Sequence, residues 1–147
     1  MPFRIALVML LIALSPARPA AAASPAGAAV RVTHAWIRWL PAGVPLAGYA
    51  VLENPSERAV VLTHASSPAF GEIDLHRTAE HAGTMSMTPV DSLTLAPHET
   101  LDLETRGYHL MLMQPKRALA RGERVPITLY FADGSTVTAE FEVRAGG

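Results

Sequence analysis

Short runs of alternating hydrophobic and polar residues extend from about residue 31 to residue 143, separated by clusters of turn-forming residues. A period of two is typical of β-strands, whose successive side chains point to opposite faces of a sheet. The clearest hairpin comes last, where two such runs flank Asp133 and Gly134. No stretch keeps a helical period for three turns, so the pattern predicts eight or nine short strands in one all-β sandwich. The ten candidate runs from which these strands would form lie near residues 31–39, 47–52, 59–64, 73–76, 85–87, 93–95, 101–103, 108–113, 126–131 and 136–143.

The first 23 residues have a different pattern. A basic start at Arg4 is followed by an uncharged apolar run over residues 5–14, and then by small residues up to Ala23. Ten apolar residues are too few to span a bilayer, which needs about 20. The arrangement predicts a secretory signal peptide over residues 1–23, cleaved near Ala23, and therefore a periplasmic protein. We expect a flexible leader over residues 24–30 and one domain over residues 31–147.

Charge and composition narrow the classes of partner. Without residues 1–23 the chain loses two arginines and keeps 10 basic against 13 acidic residues, a net charge of −3. This balance does not favour a nucleic acid or an anionic membrane as partner, and no membrane span is expected in the mature chain. There is no cysteine, so packing rather than disulfides must stabilise the domain. The absence of cysteine also excludes a blue-copper electron-transfer site, which needs a thiolate ligand.

The run from Tyr108 to Met113 contains candidate metal ligands. As a strand it places His109, Met111 and Met113 on one face, with neighbours roughly 6.6 Å apart. A flexible methionine side chain can close that gap, so an imidazole and a thioether could meet on one ion. Imidazole and thioethers without a thiolate form a soft ligand set that suits Cu(I). The other methionines beyond the signal peptide form a second Met-x-Met pair, Met85 and Met87.

The spacing of four of these residues identifies a family resemblance. Ten residues separate His76 from Met87, twenty-one separate Met87 from His109, and one separates His109 from Met111. This His-x10-Met-x21-His-x-Met pattern, within a frame running from about Val32 to Val143, resembles the periplasmic copper chaperone (PCuAC-like) family.

The resemblance implies a cupredoxin-like Greek-key β-sandwich with an exposed Cu(I) site formed by two histidines and two methionines. It further implies delivery of the metal to a respiratory oxidase copper centre or to an oxidase assembly factor. Carried over by position, the ligands are His76, Met87, His109 and Met111. The chain has Arg77 and Thr78 where members often carry a further methionine.

The remaining candidate residues have weaker signals. Met85 and Met113 share faces with the predicted ligands, and His81 lies in the loop that leads from His76 to Met85, so these three are possible neighbours of the metal. The other histidines have no metal-like neighbours and are expected at the surface: His34, His64 and His98. The large aromatic residues are expected in the core and at its rim: Trp36, Trp39, Tyr49 and Phe131.

Several functions remain open at this point. A hydrolytic enzyme using His76 or His109 as a base is disfavoured, because neither lies near a nucleophile motif and there is no cysteine. We therefore predict no enzyme activity. The alternatives to a copper chaperone are a copper sequestration or tolerance protein using the same site, and an exported protein-binding sandwich in which the methionines are only packing.

Overall fold

The computed structural model describes residues 24–41, 43–104 and 106–145. These residues form ten β-strands and one short 3-10 turn, so the all-β prediction is confirmed. The strands are β1 (Arg31–Arg38), β2 (Leu46–Glu53), β3 (Val60–Ser66), β4 (Phe70–His81), β5 (Thr84–Pro89), β6 (Leu93–Leu95), β7 (Thr100–Asp102), β8 (Tyr108–Pro115), β9 (Arg124–Phe131) and β10 (Thr136–Arg144). No helix in the described ranges is long and apolar enough to cross a membrane. The predicted signal peptide lies outside the described residues.

The strands pair into one continuous sheet in the order β5-β4-β8-β2-β1-β10-β9-β3-β6, with β7 paired to β2. All pairs are antiparallel except β1 with β10. The sheet folds over on itself, because β3 and β4 lie close together although they are six places apart in the order. The inward side chains of both layers form one hydrophobic core, including Leu52, Leu62, Leu112, Ile127 and Phe141. This doubled sheet is the predicted single-domain sandwich.

The β4–β5 hairpin is longer than the alternation predicted. Ile73 and Leu75 point into the core, as expected, but β4 continues to His81 instead of ending at His76. The whole of β5 is exposed, and it forms one edge of the sheet. Because the outer half of the hairpin has no core beneath it, hydrophobic residues are not needed on either face, and the period-two signal disappears.

A β-bulge in β1 changes which side chains face the core. Between Thr33 and Trp36, β1 advances three residues while β2 advances two, and His34 adopts a positive φ of 50°. Val32 packs against the core before the bulge, and Ile37 is fully buried in it afterwards. The extra residue places Trp36 on the opposite face of the sheet, where it stacks on Tyr49.

The segment before β1 is packed, in contrast to the flexible leader expected over residues 24–30. Ala26–Ala29 form a 3-10 turn, and Ala26 and Gly27 are buried. The Gly27 amide donates a hydrogen bond of 2.8 Å to Asp133 Oδ2. Asp133 is held in place by Ser135, and these hydrogen bonds lower the pKa of its carboxyl group. Gly27 has no room for a side chain, because the turn lies directly against Phe131 of β9 and Ser135 of the β9–β10 turn.

We expect Gly27→Ala to lower the stability of the protein by about 1–3 kcal/mol, the usual cost of overpacking. A Cβ at this position would lie 2.7 Å from the Phe131 Cβ, so the turn must move away from the sheet. Chemical denaturation measures the loss, with Ala28→Ser as a matched control at an exposed position of the same turn. Equal stability of the two variants would show that the turn is not firmly docked.

Candidate metal centre

The pairing of strands brings the predicted ligands to one face of the sheet. In the antiparallel β4–β8 pair His76 lies directly opposite His109, and Asp74 lies opposite Met111. In the β4–β5 hairpin Thr78 lies opposite Met87. Because residues two apart on a strand share a face, all of these side chains lie on the side of the sheet away from the core.

The two histidines form the centre of this arrangement. Their ring centroids are 5.6 Å apart, with the ring planes inclined by 58°. Within the described part of the chain, His76 Nδ1 and His109 Nε2 are buried and have no hydrogen-bond partner. Buried polar atoms are normally paired, so two neighbouring imidazole nitrogens without partners fit a site that a metal ion would complete.

The methionines lie on both sides of this pair. Met87 on β5 and Met111 on β8 are each offset from the histidines by two strand residues, roughly 6.6 Å. Met111 is half-buried, whereas Met87 is 59% exposed. Among the described residues no three His, Asp or Glu side chains are grouped to hold a metal. The donors available beside the imidazoles are therefore the thioethers, which favour a soft ion.

His109 is less exposed than the resemblance implied for the site. His109 is only 3% exposed, because β8 lies inside the sheet between β4 and β2 and aromatic residues cover its side. Burial, the neighbouring His76 and the Arg38 guanidinium, in that order, lower the pKa of His109 below its usual 6.5. His109 therefore stays neutral, and able to bind a metal, to lower pH than a free histidine.

The residues that flank His109 are not predicted by the sequence pattern. Tyr49 lies beside it with ring centroids 6.3 Å apart, and Trp36 stacks on Tyr49 at 4.9 Å. Together with His76 these rings form one row across β4, β8, β2 and β1. Arg38 lies over the rings of both Trp36 and Tyr49. Alternation alone could have placed Tyr49 on an outer face, but not next to His109.

The other candidate residues have different surroundings. Met85 and Met113 lie on the same face as the histidines, one further pair away on β5 and β8. His81 is exposed at the end of β4, and alternation places it on the face opposite His76. The remaining histidines have other partners: His34 contacts Thr33, His64 stacks on Tyr130, and His98 pairs with Glu57.

Residues 30–143 match the family described as "Putative lipoprotein LpqE-like". The protein named "Putative lipoprotein Lxx21020" of Leifsonia xyli is 32% identical over 121 residues, which cover 80% of this chain and 72% of that protein. The uncharacterised protein RP573 of Rickettsia prowazekii is 30% identical over 88 residues, which cover 59% of this chain and 49% of that protein.

Solved structures share the fold. The copper-bound PCuAC domain from PmoF2 superposes with a TM-score of 0.66 at 22% identity, over 79% of this chain and 92% of that domain. The Cu(I) form of DR1885 from Deinococcus radiodurans has a TM-score of 0.59 at 35% identity, over 88% of this chain and 90% of that protein. The chain therefore belongs to the LpqE-like family, and it has the fold of the PCuAC domains, as the spacing of its histidines and methionines indicated.

Proposed function

We propose that this protein is a periplasmic copper chaperone that binds one Cu(I) ion through His76, Met87, His109 and Met111. The observation that carries the proposal is the pair of facing imidazoles, with buried unpartnered nitrogens and thioethers on either side. The similarity to the Cu(I) form of DR1885 supports copper as the ion. The predicted signal peptide supports export from the cytoplasm. In the oxidising compartment outside it, a thioether site avoids the oxidation that a thiolate would suffer.

The unequal burial of the ligands suits a carrier. His109 is deep in the sheet and would hold the ion, whereas Met87 is exposed on an edge strand and can be displaced from outside. A ligand from an acceptor can replace Met87 first and the more deeply placed ligands later, so Cu(I) never becomes free. We propose a respiratory oxidase copper centre, or an assembly factor that serves it, as the acceptor.

Titration of the copper-free protein with Cu(I), in competition with a chromogenic Cu(I) chelator, tests the site. We expect one equivalent to bind at a site that competes with the chelator. Failure to bind Cu(I) would contradict the proposal and favour the protein-binding alternative.

A transfer experiment separates delivery from sequestration, which would use the same site. The Cu(I)-loaded protein is mixed with increasing amounts of a copper-free oxidase copper domain. We expect the transfer rate to rise with acceptor concentration, because ligand exchange takes place in a complex. A rate that is independent of the acceptor and equal to spontaneous loss would favour sequestration.

A further inference from the structure

Arg38 is the cation on β1 that lies over the aromatic rings beside the candidate metal centre. Its Cζ is 5.7 Å from the ring centroid of Trp36 and 5.5 Å from that of Tyr49. These contacts hold the guanidinium in place through cation–π attraction. Its Nε is buried, with no hydrogen-bond partner among the described residues. The side chain is therefore directed toward the aromatic row.

The charge of Arg38 lies within electrostatic range of the ligands. Because the Tyr49 ring centroid is 5.5 Å from Arg38 Cζ and 6.3 Å from the His109 ring centroid, the guanidinium is at most about 12 Å from that imidazole. Coulomb repulsion from the guanidinium therefore disfavours a positive ion held at the imidazole.

Nearby carboxylates offset this charge only in part. Glu104 Oε1 is 3.9 Å from Arg38 Nη2, and both side chains are nearly half exposed. A long, solvated pair of this kind is weak and leaves the guanidinium field largely in place. Asp74 lies opposite Met111, on the same face of the sheet as the predicted ligands, and attracts cations to the same site. Removing Arg38 leaves Asp74 unchanged, so the contribution of Arg38 can be measured by itself.

We propose that Arg38 is a specificity-determining residue that favours the monovalent Cu(I) over divalent ions at this site. The inference rests on the proposed copper-binding function. Coulomb repulsion is proportional to the charge of the ion, so a fixed cation penalises Cu(II) or Zn(II) twice as strongly as Cu(I). Two imidazoles would otherwise also suit divalent copper and zinc. At about 12 Å and an effective dielectric constant of about 20–40, each unit of ionic charge corresponds to about a three- to tenfold change in affinity.

The test compares Arg38→Gln, which removes the charge, with Arg38→Lys, which retains it. Arg31→Gln is a matched control, because Arg31 is on the same strand and has its own carboxylate partner, Glu53, at 3.4 Å. Affinities for Cu(I), Ag(I), Cu(II) and Zn(II) are measured by chelator competition at low ionic strength, where screening is weak. Thermal melts of the copper-free variants confirm that each one folds.

For Arg38→Gln we expect Cu(I) and Ag(I) to bind about three- to tenfold more tightly and the divalent ions about ten- to a hundredfold more tightly. Arg38→Lys and Arg31→Gln should bind all four ions within about twofold of the unchanged protein, and added salt should shrink the effect of Arg38→Gln. Equal factors for both classes of ion, no gain in Cu(I) affinity, or the same gains in Arg38→Lys would overturn the proposal. A protein that fails to bind Cu(I) before any substitution would instead refute the proposed function.

Discussion

Met111→Leu is expected to weaken Cu(I) binding by at least about 100-fold. Changes to residues that merely support a ligand typically cost 10–100-fold in metal affinity, so loss of a ligand should cost no less. Leucine has nearly the volume of methionine, and such exchanges usually cost less than about 1.5 kcal/mol of stability. The substitution therefore removes the sulfur while the half-buried position on β8 stays filled. Chelator competition with Cu(I) measures the loss.

Two control variants make this result specific. His64→Gln removes an imidazole on β3 that stacks on Tyr130, with ring centroids 4.2 Å apart. Because His64 is not next to the predicted ligands, the Cu(I) affinity should stay unchanged. Met113→Leu removes a thioether from the same strand and the same face, one pair further from the histidines, and should cost less than about tenfold. Equal losses in Met111→Leu and His64→Gln would disprove the assignment of the site. A larger loss in Met113→Leu would move the thioether ligand to Met113.

Cu(I) affinity is expected to fall steeply in acid. Metal binding needs neutral imidazole, and a free histidine has a pKa of about 6.5. If two histidines must lose a proton, affinity falls by up to about two decades per pH unit, one for each ring. Because the pKa of His109 is lowered, its proton competes only at more acid pH. The slope should therefore steepen progressively as the pH falls, and reach its full value only after His109 begins to protonate.

Measuring the Cu(I) dissociation constant from pH 7.5 to pH 4.5 checks this profile. Replacing His109 by Gln should remove the steeper, more acid part of the fall, in addition to weakening binding at every pH. Thioethers carry no proton to lose, so some weak binding should persist in acid. An affinity that stays flat between pH 7 and pH 5 would show that the histidines are not ligands. The site would then be assigned to the thioethers of Met85, Met87, Met111 and Met113.

The sequence by itself determined the features that depend on local chemistry. Alternation over residues 108–113 placed His109 and Met111 on the same face of a strand, and the structure has them there. Asp133-Gly134 marked the final hairpin, which forms between β9 and β10 as predicted. These inferences succeed because a side chain's face depends on backbone geometry with a period of two, and a tight turn depends on the residues within it.

Only the tertiary structure decided which strands became neighbours. His76 and His109 are 33 positions apart in the sequence, and the β4–β8 register alone places them opposite each other. The bulge near His34 moves Trp36 to the outer face, and the β2–β8 pairing then brings Tyr49 beside His109. Pairing between distant strands is selected by burying one shared core, and a one-residue shift exchanges the faces of a whole strand. For this reason the spacing of the candidate ligands could be read from the chain, whereas the aromatic row and the cation beside it could not.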